Sequence, residues 1–275
     1  MNIIKTKLTV GAEKPFSVVH ISDTHLTYAD LRDGERKVEL AKGRVTCFPY
    51  NTEAVLDLAS RTAKDLHAPI LHTGDLIDFV SVANLERAAR FTEENDVFTA
   101  AGNHEFSLYV GEAWEDAAYR NQSLATVQKA FTNNIRMSAR VIGGVNFVAL
   151  DNSYYLFEEE QLAFLKNEVE KGLPVVLLMH NPLYERALYD IMMKRSPCAY
   201  LVDTPEELMQ TYDSHRYRQQ KADEITHRTV EYIKGEERIR ALITGHLHFN
   251  YEGIFADRIP QIVTACDDVR VFEFV

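Results

Sequence analysis

Apolar residues in this chain come in short runs that stop on charged or polar side chains. Residues 15–22, PFSVVHIS, read as a buried strand that stops at Asp23, and residues 68–75, APILHTGD, as a second that ends on Asp75. A third starts at Val97 and runs into Gly102-Asn103-His104-Glu105. Between these runs the period lengthens to that of a helix. Asn51 or Thr52 caps a helix with Val55, Ala59, Thr62, Ala63 and Leu66 inward. Ser81 starts another, with Val82, Leu85, Ala88 and Ala89 inward. The strand–helix–strand rhythm predicts βαβ units with right-handed crossovers and a largely parallel sheet.

The second half changes style. ARVIGGVNFVALD is two alternating runs around Gly143-Gly144, a two-residue hairpin signal. Residues 158–171 form a helix with Leu162, Leu165 and Val169 inward, closed by Gly172 and Pro174. PVVLLMHNP is a strongly apolar strand, and ALITGHLHFNYEG, PQIVTA and VRVFEFV follow as short strands. Residues 184–238 interrupt with helical signals: a capping box TPEE at 204–207, then a helix marked by Ile225, Val230 and Ile233 and ended by Gly235. This segment is expected as a helical cap inserted in a single domain spanning the chain. Residues 26–50 are expected as a long charged loop with a partial helix. The pattern as a whole predicts an α/β (α+β) fold of two packed sheets with helices outside.

Composition narrows the function. The 275 residues are 46% hydrophobic and 26% charged, as in an ordinary globular protein. No stretch approaches the roughly 18 apolar residues of a membrane span, and no signal segment is evident, so a cytoplasmic location is expected. Three scattered cysteines, without a CxxC, argue against a disulfide framework or a thiolate zinc site. A formal charge of −11 argues against binding long nucleic acids but leaves room for a small anion held through a cation.

The strand ends carry Asp23 and His25, Asp75 and Asp78, Asn103 and His104, His180, and His246 and His248. Strand ends in an open α/β sheet converge on one crevice, so these distant segments can meet. Oxygen and imidazole ligands without thiolate favour Mn²⁺, Fe or Zn²⁺ over a closed structural zinc site. Seven of them (Asp23, His25, Asp75, Asn103, His180, His246 and His248) are too many for one ion and suit two, about 3.5–4 Å apart, sharing a carboxylate.

In this order Asp-x-His, Gly-Asp-x-x-Asp, Gly-Asn-His-Glu, a lone histidine after a strand, and Gly-His-x-His resemble the calcineurin-like metallophosphoesterases. The resemblance runs from Asp23 to His248. It implies a four-layer β-sandwich of two mixed sheets flanked by helices, and two divalent or mixed-valence ions of Mn, Fe or Zn. It implies one metal on Asp23, His25, Asp75 and His248, and a second on Asp75, Asn103, His180 and His246, with Asp75 bridging. It further implies that His104, oriented by Asp78, faces the phosphate and the leaving-group oxygen. The activity implied is hydrolysis of phosphate mono- or diesters by a metal-bridging hydroxide, on a small phosphate ester or a phosphoprotein. A non-catalytic scaffold of the same fold and a mononuclear site are the alternatives. Asn181 stands where many members have a second histidine, and the Asp23-to-Asp75 interval is long.

His20, His67, His72, His215 and His227 are read as ordinary core or surface histidines, and Glu105 as a support or surface residue. The basic residues Arg32, Arg36, Lys37, Lys42 and Arg44 are read as a solvated loop. The tyrosines and arginines of the cap either wall a substrate site or lie on a solvated helical surface.

Overall fold

The computed structural model describes residues 1–48, 50–111 and 116–275. Its strands are β1 (Ile3–Leu8), β2 (Phe16–Ile21), β3 (Ile70–His72), β4 (Val97–Thr99), β5 (Met137–Ile142), β6 (Val145–Leu150), β7 (Val175–Leu178), β8 (Ile239–Thr244), β9 (Tyr251–Phe255), β10 (Ile259–Val263) and β11 (Val269–Phe274). One sheet has the order β1-β11-β2-β3-β4, the other β5-β6-β7-β8-β10-β9. Both are mixed: β2, β3 and β4 run parallel, as do β6, β7, β8 and β10, while β11 against β2, β5 against β6 and β9 against β10 are antiparallel.

Alternation along each strand makes the layers. Val18, Leu71 and Phe98 face Phe147, Val176 and Ile243 in the core between the sheets. Val19, Ile21 and Ile70 point the other way, against α2 (Thr52–Leu66), α3 (Val82–Glu94) and α4 (Ala117–Val127). On the far side, Val148 and Leu177 meet α5 (Glu159–Glu170) and α8 (Glu224–Gly235). The result is the expected sandwich of two mixed sheets between helical layers. No helix among the described residues is long and apolar enough to cross a membrane.

Several local expectations are corrected. Leu66 is 45% exposed because α2 ends there, its chain leaving through His67 in the left-handed region (φ 50°). Val82, the first residue of α3, is also exposed, and Phe91 fills the inward face instead. TPEE forms no capping box: Thr204 turns its hydroxyl back to the Leu201 carbonyl, and a 3-10 turn starts after Pro205. β1 escapes the sequence pattern because its lysines leave only one side of IIKTKL apolar, as befits an edge strand.

The segment 184–238 divides in two. Residues around α6 (Arg186–Met192) and α7 (Ser214–Gln220) build a small core of Leu188, Met192, Leu201, Met209 and Tyr212 that sits against Leu247 and Val263. α8 instead buries Val230 and Ile233 in the second sheet's outer layer, so it is a framework helix. The partial helix expected within 26–50 is α1 (Glu35–Arg44), which lies between two 3-10 turns, at Leu31–Asp33 and Val45–Cys47. None of the α1 residues is fully buried, which is why hydrophobic periodicity does not announce it.

A candidate dinuclear metal site at the strand ends

The loops that follow β2 and β3 run side by side. Asp23 N donates to Gly74 O at 2.9 Å, His25 N to Asp75 O at 2.9 Å, and Leu26 N to Leu76 O at 2.8 Å. This pairing continues the parallel sheet into the loops and presents Asp23, His25 and Asp75 at one end of the sandwich. His180 follows β7, and His246 and His248 follow β8, at the same end.

Five of these residues sit in the left-handed region: Asp23 (φ 54°), His25 (48°), Asp75 (58°), His246 (69°) and His248 (57°). For a residue other than glycine such a backbone costs of order 1–3 kcal/mol and persists only where the surroundings enforce it. Aspartate and histidine tolerate it better than branched residues. Among the described residues, five of the eleven non-glycine positions with positive φ are thus expected ligands.

Donor atoms of the expected ligands converge in two groups, and His25 also joins a third with Asp78 and His104. In one, His248 Nε2 lies 3.4 Å from Asp23 Oδ1 and 3.1 Å from His25 Nε2. In the other, His180 Nε2 lies 3.2 Å from Asp75 Oδ2 and 3.0 Å from His246 Nδ1. Asp75 Oδ2 joins them, since it is also 3.8 Å from His25 Nε2. Ligand atoms about 2.0–2.2 Å from one ion stand roughly 3–3.5 Å apart, so these separations suit shared ions. Asn103 is buried and lines the same cleft as His104, His246 and His248. The seven residues expected as ligands are thus gathered at one end of the fold, and Asp23, His25 and His248, and Asp75, His180 and His246, could each hold an ion.

The second nitrogens are occupied elsewhere, which fixes the rings. His25 Nδ1 donates to Asp78 Oδ1 at 3.1 Å, and His180 Nδ1 to the Thr73 carbonyl at 2.7 Å, so each leaves Nε2 for a cation. His246 turns the other way: Nε2 meets the Tyr155 hydroxyl at 2.8 Å and Nδ1 faces the group. The His180 backbone is carried by Asn152, whose Oδ1 accepts from His180 N at 3.1 Å and Asn181 N at 3.0 Å. Asn181 returns the bond through Nδ2 to Asn152 O at 2.8 Å. Asn181 therefore serves as framework for the strand end.

Charge supplies an independent test of fit. Asp23 and Asp75 are buried, and among the described residues their ion-pair partners are histidines only. Burial raises a carboxyl pKa, but the neighbouring histidines, His180 foremost, outweigh it and hold both groups below the usual range. Conversely, burial lowers the His180 pKa, and Asp75 and Asp23 overcome that, lifting it to about 9. Two buried carboxylates paired only with titratable rings need positive charge, which divalent cations provide. The donor set fits two such ions.

Glycines make room for it. A Cβ on Gly102 would lie 2.2 Å from Asp75 Oδ1, and one on Gly245 2.3 Å from Asp23 Oδ2.

Beside the donors, His104 Nδ1 bonds the Asp78 carbonyl at 2.7 Å and lies 3.1 Å from Asp78 Oδ1. Its Nε2 is left for the cleft that the residue lines. Burial disfavours the imidazolium, but Asp75 and then Asp78 outweigh it and push the pKa up to about 10. His104 N also donates to Asp75 Oδ1 at 2.8 Å, tying the two loops together.

Of three supports behind these groups, two were not legible in the sequence, Arg44 and Tyr155, and the third is Glu105, for which the support reading holds over the surface one. Arg44, read as solvated, is half-buried and grips Asp78 through Nε at 2.6 Å and Nη2 at 2.8 Å. Lys37 is half-buried and lies 5.5 Å from the Tyr109 ring centroid, while Arg36 stays exposed with its guanidinium carbon 3.8 Å from the same centroid, and Arg32 and Lys42 stay exposed beside carboxylates. Glu105 is fully buried and accepts backbone N–H bonds from Gly102 and Asp75 at 2.7 Å, Leu76 at 2.8 Å and Ile77 at 3.4 Å. Burial and then the charge of Asp75 push its pKa up to about 7 against the pull of those donors. Tyr155 orients His246. Glu105 closes the Gly-Asn-His-Glu motif, but nothing local singles out Arg44 or Tyr155.

Of the remaining histidines, His20 is a satisfied core residue, bonded to Thr264 and Thr73 at 2.8 Å each. His72 is buried with neither ring nitrogen bonded, and burial lowers its pKa to about 4, so it sits neutral beneath the site. His215 is a partly exposed residue on the wall of the cleft.

A sequence profile described as calcineurin-like phosphoesterase matches residues 16–250. Among solved structures, the chain is similar to a dimetal phosphatase from Danio rerio, at 14% identity over 92% of this chain and 88% of that one, with a TM-score of 0.51. A phosphopantetheinyl hydrolase from Mycobacterium tuberculosis (12% identity, 90% and 89% covered, TM-score 0.45) and a 5'-nucleotidase from Candida albicans (13%, 96% and 47%, 0.45) are also similar, the chain spanning about half of the latter. At such identities the likeness speaks for the fold alone. No curated protein sequence matches the chain.

Proposed function

Because the chain belongs to the calcineurin-like phosphoesterase family, we propose that it hydrolyses small phosphate mono- or diesters at a centre of two metal ions. The observation that carries this reading is the position of Asp75 Oδ2, 3.2 Å from His180 Nε2 and 3.8 Å from His25 Nε2, where one oxygen serves both donor groups. Asp23, His25, Asp75 and His248 would hold one ion; Asp75, Asn103, His180 and His246 the other. Mn²⁺, Fe and Zn²⁺ are the ions that suit these ligands. When bound, two such ions supply Lewis acidity toward a phosphoryl oxygen and toward a water.

The chain's own residues do the rest. Asp78 keeps the His104 proton on Nδ1, so that in the imidazolium form Nε2–H is directed to the cleft. From there it donates a hydrogen bond or its proton to the oxygen that leaves phosphorus. Asp78 also fixes the His25 ring, so one carboxylate positions a metal-facing and a substrate-facing imidazole together. The cleft, about 500 Å³, suits a small ester better than a polymer.

Metal-reconstituted protein assayed on mono- and bis-p-nitrophenyl phosphate tests the reading. Turnover that chelation abolishes and Mn²⁺, Zn²⁺ or Fe restores supports it. Absence of turnover with all three ions sinks it and favours a non-catalytic member of the fold.

A further inference from the structure

The cleft extends away from the paired donor groups toward α7. Its far wall is formed by Tyr200, His215, Arg216 and Gln219. The Tyr200 ring stands edge-on to His246, with 5.7 Å between centroids, and the Arg216 guanidinium carbon sits 5.1 Å from the centre of the same ring. Tyr200 is held there against its own preference, at φ 56°, with its N–H bonded to buried Gln220 at 3.0 Å. A bulky side chain in that region is an outlier, and such outliers gather where a ligand or a clamp needs them.

Unlike many of the chain's arginines, Arg216 has no ion pair with a carboxylate among the described residues. Arg32, Arg44, Arg87, Arg140, Arg186 and Arg228 each have a carboxylate partner. Arg216 Nη1 donates to the neutral Gln219 Oε1 at 2.6 Å, and among the described residues no carboxylate pairs with its guanidinium. Asp213, at the start of the same helix, accepts from the backbone N–H groups of His215 and Arg216 at 2.9 Å each and feels the guanidinium's charge without pairing with it, and half-buried Arg216 lines the cleft. Its planar fork suits a carboxylate or phosphate, and stacking on Tyr200 holds the fork in place. Among the described residues it reaches the site histidines only through Tyr200, not by a bond of its own.

We propose that Arg216, held on Tyr200, is an anion-recognition subsite, and that the substrate is a small phosphate ester carrying a second anionic group, carboxylate or phosphate, on its alcohol portion. This rests on the phosphoesterase reading and refines it. The scissile phosphate goes to the paired donor groups, and the second anion goes to the wall formed by the 186–220 segment.

The test compares phenyl phosphate, 4-carboxyphenyl phosphate and benzene-1,4-diyl bisphosphate on the metal-loaded wild type, Arg216→Met and Arg218→Met. Methionine keeps an unbranched stem against Tyr200, and Arg218 is exposed on the same helix outside the cleft. The wild type is expected to favour the doubly anionic esters, chiefly through KM, and Arg216→Met to reduce that preference about tenfold or more. Arg218→Met should keep it. Because the variants are compared substrate by substrate, differences in leaving-group acidity cancel. Preference for the carboxylate, the bisphosphate or both names the anion. A wild type without preference, a preference that survives Arg216→Met, or an equal loss on all three esters overturns the subsite. Calorimetric binding of phenylphosphonate and 4-carboxyphenylphosphonate separates the two claims. Selective binding that Arg216→Met abolishes, without turnover of any ester, upholds the subsite while the hydrolase reading fails; turnover without selectivity does the reverse.

Discussion

Arg44 holds both carboxylate oxygens of Asp78, at 2.6 and 2.8 Å, while one of those oxygens also accepts from His25 and lies 3.1 Å from His104 Nδ1. A residue of the long segment after β2 therefore steadies the carboxylate on which two site imidazoles depend. Groups that orient ligands from behind commonly matter by 10–100-fold. Arg44→Met should lower kcat on p-nitrophenyl phosphate by about 10–100-fold with little change in KM. Arg44→Lys should recover part of the loss, because an ammonium keeps the charge but not the fork. A KM effect with unchanged kcat would place Arg44 on the substrate instead.

His104 is the residue whose Nε2 is left for the cleft. His104→Ala should retain its metal and lose about 10²–10⁴-fold in turnover of alkyl phosphates. Loss on p-nitrophenyl esters should be smaller, because that leaving group departs without help. Equal losses across leaving groups would rule out the proton-donor role.

Glu105 satisfies four backbone N–H groups around the Asp75 loop from a fully buried position. Glu105→Gln turns an amide NH₂ toward donors that need an acceptor. Urea unfolding should show a loss of about 3 kcal/mol or more, and metal occupancy should fall with it as Asp75 loses its fixed backbone. Unchanged stability would mean that water replaces the carboxylate there.

Gly102→Ala is the smallest change that should empty the site while leaving the fold. The added methyl would come 2.2 Å from Asp75 Oδ1, so the carboxylate must move. We expect a stability loss of about 1–3 kcal/mol, typical of overpacking, with metal content in the reconstituted protein falling well below the wild type. Full metal occupancy in this variant would show that the Asp75 position is softer than its packing indicates.

Much of this arrangement is legible in the sequence because strand ends and motif residues coincide. Asp23, Asp75, His180 and His246 stand two or three residues beyond buried strands, and a parallel sheet delivers such positions to one edge. What is not legible depends on long-range meeting. Arg44 lies on a helix without a buried face, 34 residues from Asp78. Tyr155 reaches His246 across 91 residues. Helical signals in 184–238 do not tell which layer a helix joins, because α6 and α8 both have inward apolar residues but bury them in different cores. β1 is hidden for the opposite reason: an edge strand with lysines on one side needs little hydrophobicity.

The most direct measurement is metal content per chain after reconstitution, by elemental analysis of wild type and Asp75→Asn. Because one Asp75 oxygen faces both donor groups, two equivalents are expected in the wild type, and loss of both ions, or sharply weaker retention of both, in Asp75→Asn. A wild type that retains one ion or none, or a variant that keeps both as tightly, would contradict a centre of two ions sharing Asp75.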